Sequence, residues 1–267
     1  METVLRVLSD VEIVQVHERT LSLLATAGIR VDTERGRKIF KNAGADVNST
    51  THIVRFPRSL VEECLRLAPR EFNLGGRRPD WKFKVNNNEC TLLADGAAVH
   101  VIDSANGNRR PATFDDWQTA TRLIDALDEV GVYWSMVEPT FFQKTSADFV
   151  RYCREMITTF SKHLQDCTNT VDESRWLLEV LGTVFGSKEQ IRKINPFSFL
   201  LTPVSPLVIE ADHTDAYLEI IDWGIPVAIM PMPMMGGTAP ASLLSTLLLA
   251  NFETLAALCL VQSASPG

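Results

Sequence analysis

The sequence predicts an α/β protein: an incomplete (β/α) barrel of about four βα units, preceded by a helical and antiparallel β region. Three observations carry this. From Asp115 onward, apolar strand-like runs alternate with amphipathic helical runs, the pattern of parallel βαβ units. The run IPVAIMP (225–231) holds no charge, and a charge-free strand belongs in a parallel sheet covered on both faces. The stretch between 72 and 113 instead has short β-like runs between Gly and Asn turns.

The N-terminal elements follow from punctuation and period. Ser9-Asp10 is a cap signal, Val11, Val14, Leu21, Leu24 and Ala25 share a helical face, and Gly28 ends the helix. A short helix from Thr33 to Asn42 stops near Gly44, VRFP (54–57) is an extended link, and Pro57 to Leu67 forms a third helix. FNLGGRRPD, KFKV, TLLADG, AAVHVID and RRPATF read as an antiparallel meander, with Asn106-Gly107 a strong hairpin signal. Residues 1–113 thus form a helical cap plus β meander, and 114–267 the partial barrel.

The barrel part reads as strands VYWSMVEP, KHLQDCT, PFSFLLTPVSP and IPVAIMP, each after a helix. A turn, MPMMGGTAPAS, leads from the last strand into a long apolar helix, with Thr238 as the expected cap. Four βα units make half of an eight-unit barrel, which typically needs about 250 residues. About 150 residues belong to this part, so the expectation is a fragment, or a half-barrel completed by another chain.

Composition narrows the function classes. The formal charge of −7 argues against a nucleic-acid partner. Five scattered cysteines, none in CxxC, read as free thiols of a reducing, cytoplasmic setting. No signal peptide is visible. Residues 241–261 are apolar, but Asn251 and Glu253 at their middle argue against a membrane span. No GxGxxG or GxxxxGK[ST] is present. No Lys or Arg lies between Lys193 and the C-terminus, which lowers a phosphate-binding role for the Gly236 turn.

Several segments together, LSDVEIVQVHERTLSLLATAGIRVD, VRFPRSLVEECLRLAP, DSANGNRRPATFDDW and GGTAPAS, resemble the trimethylamine methyltransferase family, which includes glycine betaine methyltransferases. SKH (161–163), SPL (205–207), GIPV (224–227) and NFETLA (251–256) follow in the matching order. The resemblance covers roughly the first half of family members. It implies a TIM-barrel enzyme moving a methyl group from a methylated amine to the cobalt of a corrinoid. That corrinoid is presented by a partner protein and is not bound directly by this chain. A homo-oligomer is expected. The alternative is a non-catalytic half-barrel scaffold that docks a partner chain.

Holding a quaternary ammonium calls for aromatic faces and carboxylates. Glu138, at the C-terminal end of the first barrel strand, is the candidate catalytic residue, and its other reading is a solvated carboxylate. Phe141 follows it; Tyr133 and Trp134 read as core filling. Asp166 ends the second strand, and Thr202 and Ser205 end the third, where hydroxyls suit a substrate carboxylate or simply form a turn. Met232 is either packing or an apolar lining for methyl groups or a corrin ring. Gly236, Gly237 and Thr238 offer backbone N–H groups at a helix start, or only a tight turn. His163 reads as a structural hydrogen-bond donor. Glu253, buried on an apolar helix, calls for a salt-bridge partner. Arg109 and Arg110 either meet a partner or keep the meander solvated.

Overall fold

The computed structural model describes residues 6–86, 89–138 and 145–267. Along the chain run α1 (Asp10–Thr26), β1 (Ile29–Val31), α2 (Glu34–Asn42), β2 (Asp46–Val47), β3 (Ile53–Arg55), α3 (Arg58–Leu67), β4 (Phe72–Gly75) and β5 (Lys82–Val85). Then come β6 (Leu92–Leu93), β7 (His100–Ile102), β8 (Arg109–Pro111), α4 (Phe114–Ala126), β9 (Val130–Tyr133), α5 (Ser146–Thr159) and β10 (His163–Asp166). The last third holds α6 (Val171–Phe185), α7 (Lys188–Ile194), β11 (Phe197–Leu201), β12 (Val208–Ile209), α8 (Ala211–Ile220), β13 (Val227–Ile229) and α9 (Leu243–Ala264).

The chain forms two compact units, each discontinuous in sequence. One comprises Met1–Ala68, Leu201–Asp215 and Ile229–Gly267; the other comprises Pro69–Leu200 and Ala216–Ala228.

In the first unit a small sheet of order β12-β1-β3-β2 shares a core with α1, α2, α3 and α9. The helix starts obey their sequence signals: Ser9 and Glu12 form a capping box, and Thr33 caps α2. Leu24, Ile29, Val31, Phe40, Phe56 and Leu260 are fully buried, each worth about 1.5–3 kcal/mol of transfer free energy. The Phe40 and Phe56 rings meet edge to face at 5.0 Å. Of the expected extended link at 54–57, Val54 and Arg55 lie in β3 and Phe56 and Pro57 follow it. β12 pairs in parallel with β1 across about 180 residues, a partnership no local pattern announces.

The apolar helix α9 is long and apolar enough to cross a membrane by length and composition. Here its C-terminal half is core, with Phe252, Ala256, Cys259 and Leu260 buried. Glu253 is satisfied by hydrogen bonds and not by the expected salt bridge: Ser205 Oγ donates at 2.6 Å and the Leu207 amide at 2.9 Å.

The second unit is built on a five-stranded parallel sheet of order β13-β11-β10-β9-β6, a mixed α/β arrangement consistent with an incomplete TIM-type barrel. β4–β5 and β7–β8 are antiparallel hairpins, as the meander reading expects, but each is a separate two-stranded sheet and they do not join into one meander. β6 departs from it: Leu92–Leu93 pairs in parallel with β9 and so extends the barrel sheet. The physical reason is that pairing is decided by a distant strand, whereas turn residues report only on neighbours. Around the hairpin, Arg110 grips the Asp116 carboxylate with two hydrogen bonds, 2.6 and 2.9 Å, beside the Thr113–Asp116 capping box. That guanidinium holds Asp116 well below the usual carboxylate range. Arg110 is thus a structural ligand of the start of α4.

Candidate active site

The C-terminal ends of β9 and β10 open into a cavity of about 560 Å³ within the second unit. This is the rim at which (β/α) barrels carry their active sites. Strand alternation decides which side chain reaches it. Tyr133 is fully buried, packs on Phe160 and accepts a 3.0 Å hydrogen bond from Trp117 Nε1. It is core, as the sequence suggests, and burial pushes its hydroxyl up to about 12. Trp134, next along the strand, lines the cavity instead.

Four carboxylates line it: Glu138, Asp166, Asp172 and Glu173. Tyr152 Oη donates to Asp166 Oδ2 at 2.8 Å, and the Cys167 amide donates to Oδ1 at 2.7 Å. Burial nevertheless dominates and, with the Glu138 and Glu173 charges nearby, raises Asp166 to about 6. Burial also raises Glu138. The Cys167 thiol is pushed up to about 12 by burial and then by these carboxylates, so it is no thiolate nucleophile at neutral pH.

Helices supply the remaining walls. Phe149 and Tyr152 stand three residues apart in the first two turns of α5, and Glu173 and Trp176 stand likewise in α6. The Phe149 and Trp176 rings lie 6.2 Å apart at 48°. Thr145 and Thr170 cap these helices and so fix where the pairs point. Sequence reasoning missed all four wall residues. The available signal was an aromatic or acidic i, i+3 pair just after a β–α loop, which reads equally well as an ordinary helix face.

Of the sequence candidates, Glu138 and Asp166 come together in this cavity. Phe141 lies outside the described residues. Thr202, Ser205, Met232, Gly236, Gly237 and Thr238 belong to the other unit. Ser205 spends its hydroxyl on Glu253, and the Thr202 amide donates to His213 Nε2 at 3.3 Å. The Gly236 amide donates to Ala239 O and the Gly237 amide to Met234 O. These N–H groups are therefore engaged within the turn. Gly236 has φ +78°, where a side chain is strained. α9 starts only at Leu243 with Ser242 as its cap, so the expected Thr238 cap is not formed; Thr238 Oγ1 instead accepts from the Met234 amide. Met232, Met234 and Met235 are exposed.

His163 is structural, as its position suggests. It is fully buried at the opposite end of β10. Nδ1 donates to the Gly75 and Asn195 carbonyls at 3.1 and 3.0 Å, so Nε2 accepts from Ser198 Oγ at 2.9 Å. Burial lowers its pKa to about 4 and keeps this neutral tautomer.

Comparison with known proteins agrees with the order of motifs. The family model described as trimethylamine methyltransferase (MTTB) matches residues 2–267. The chain belongs to that family. It is 29% identical over 259 residues to trimethylamine methyltransferase MttB of Desulfitobacterium hafniense (strain DSM 10664 / DCB-2), covering 97% of this chain and 52% of that protein. The MttB of Methanosarcina barkeri is 28% identical, with 96% and 52% covered. A glycine betaine methyltransferase of Desulfitobacterium hafniense (strain Y51) is 27% identical, with 98% and 54% covered. The chain spans about half the length of the curated relatives it matches.

Proposed function

We propose that this chain carries the amine-binding part of a methyltransferase acting on a methylated ammonium, with the cavity around Glu138 and Asp166 as its pocket. One observation carries the reading: four carboxylates (Glu138, Asp166, Asp172, Glu173) and four aromatic side chains (Trp134, Phe149, Tyr152, Trp176) line a single cavity, with no Lys or Arg among the described lining. A methylated ammonium spreads its charge over its methyl groups and is recognised by ring faces and nearby anions. The names of the relatives point to the same substrate class.

In this reading Asp166 and Glu138 supply charge to a cation that has displaced their water. The rings cover its methyl groups and hold the C–N bond in one orientation. The transferred group leaves as a methyl cation equivalent, so the amine nitrogen keeps the bonding pair and becomes neutral. The acceptor in this reading is the nucleophilic cobalt of a corrinoid on a partner protein. The charged residues of the lining are all acidic, which favours trimethylammonium over glycine betaine, whose carboxylate they repel. The free thiols fit a reducing cytoplasmic setting.

Calorimetric titration with trimethylamine at pH 8, where the amine is largely protonated, tests the reading. Saturable binding by a folded chain is expected, weakened about tenfold or more in Glu138→Gln and Trp176→Ala. Binding indifferent to both substitutions would remove the cavity from the account.

A further inference from the structure

We propose that the groove between the 73–82 segment and the α6–α7 corner binds a phosphate group, free or as the ester of a small molecule. The groove has a volume of about 510 Å³ and lies within the second unit, at the N-terminal ends of β10 and β11. It is lined by Arg77, Arg78, Lys82 and Lys193 together with Trp81 and Phe185. In a chain of formal charge −7, four cations around one cavity are a local reversal of the overall field.

Close backbone packing shapes this groove. A Cβ on Gly75 would stand 2.2 Å from the Ile194 carbonyl, and one on Gly76 2.5 Å from the Lys162 carbonyl. The glycines let the segment press against both strand entries, and the Gly75 carbonyl receives the His163 bond. The following Arg-Arg pair is thereby carried to the rim.

The two arginines differ in what they already do. Arg77 donates from Nε to Ile157 O at 2.9 Å and from Nη2 to Thr158 O at 3.2 Å, capping the C-terminus of α5. Arg78 is held by its own backbone, whose amide donates to Ser161 O at 2.8 Å. Its Nε is buried and has no hydrogen-bond partner; the Asp80 carboxylate lies 3.8 Å away, beyond hydrogen-bond reach. A buried guanidinium donor without an acceptor is costly, and an oxyanion in the groove supplies that acceptor. Lys82 and Lys193 add mobile charge, and Trp81 and Phe185 offer a flat wall for the body of an ester. The geometry of a forked donor facing a tetrahedral oxyanion is the ordinary mode of phosphate recognition by arginine.

The test is calorimetric titration of the whole chain at constant ionic strength with two probes, inorganic phosphate and AMP. Saturable binding in the millimolar range or tighter is expected, reduced at least fivefold by Arg78→Gln and by Lys193→Gln. Arg66→Gln, an exposed substitution outside the groove lining, should retain the full affinity. AMP binding tighter than phosphate would identify an ester held by the Trp81 wall; equal affinity would identify a bare phosphate site. Heat no greater than that of a chloride titration matched in ionic strength, or affinity unchanged in both groove variants while they remain folded by circular dichroism, would overturn the proposal. Neither result bears on amine binding, because the groove and the acidic cavity lie at opposite ends of the strands.

Discussion

At the C-terminal ends of β9 and β10 the parallel sheet presents Glu138, Asp166, Glu173 and a set of aromatic rings. At the N-terminal ends of β10 and β11 the same sheet presents His163, the buried Lys162 and the arginine-rich 75–78 segment. β10 joins them: His163 and Asp166 are its first and last residues, about 10 Å apart at roughly 3.3 Å per residue. Desolvation acts on both and moves them in opposite directions, His163 down to about 4 and Asp166 up to about 6. At neutral pH the imidazole is uncharged and wired into the backbone, while Asp166 remains mostly ionised and only partly compensated. One end of the strand is therefore satisfied structure. The other holds a charge whose environment calls for a cation.

That contrast can be broken at either end. The largest stability effect is expected at the satisfied end. His163→Ala leaves two backbone carbonyls and a serine hydroxyl without their partner and opens a cavity, so urea unfolding should show a loss of about 3–5 kcal/mol. At the other end, Asp166→Asn keeps both hydrogen bonds, its amide accepting from the Cys167 N–H and donating to Tyr152. It removes a charge that burial opposes. Stability at pH 8 should rise by about 1–3 kcal/mol, the upper figure being the full shift from 3.8 to about 6, while trimethylammonium affinity falls tenfold or more.

The two ends also oppose one another in their pH dependence. The raised Asp166 contributes stability below its unfolded pKa that is lost as pH rises toward 6. The depressed His163 contributes stability above about 6.5 that is lost as pH falls toward 4. Between pH 4 and 6 their opposite pH dependences cancel. In Asp166→Asn the His163 term stands alone, so stability should climb by about 1.4 kcal/mol per pH unit more steeply than in the unsubstituted chain. Equal slopes in parallel urea titrations would show that one of the two assignments is wrong. The smallest effect is expected at Lys82, an exposed groove residue: Lys82→Gln should leave stability within about 0.5 kcal/mol.

Much of this was legible in the sequence. The βα alternation, the Ser9 cap, the helix starting near Thr33 and the placement of Asp166 at a strand end follow from local patterns, whereas Glu138, expected to end its strand, lies in the loop after β9. His163 was readable as structural because it starts a strand. What was not legible depends on partners far along the chain. β6 joins the parallel sheet through β9, and β12 joins β1, neither by a short turn. The apolar run after β13 looked like the covering helix of a barrel unit. Its core contacts in this structure are with α1, α2 and α3. The walls of the acidic cavity were hidden for a related reason: Phe149, Tyr152, Glu173 and Trp176 sit on helix faces whose orientation is fixed only once the helices have packed.

The most direct test of the account is trimethylamine titration at pH 8 of the unsubstituted chain and of the Glu138→Gln/Asp166→Asn double variant, both verified as folded. The account predicts saturable binding in the first and a loss of at least thirtyfold in the second. Equal affinity in the two, or no binding by the folded unsubstituted chain, would contradict the claim that this acidic, aromatic cavity is built to hold a methylated ammonium.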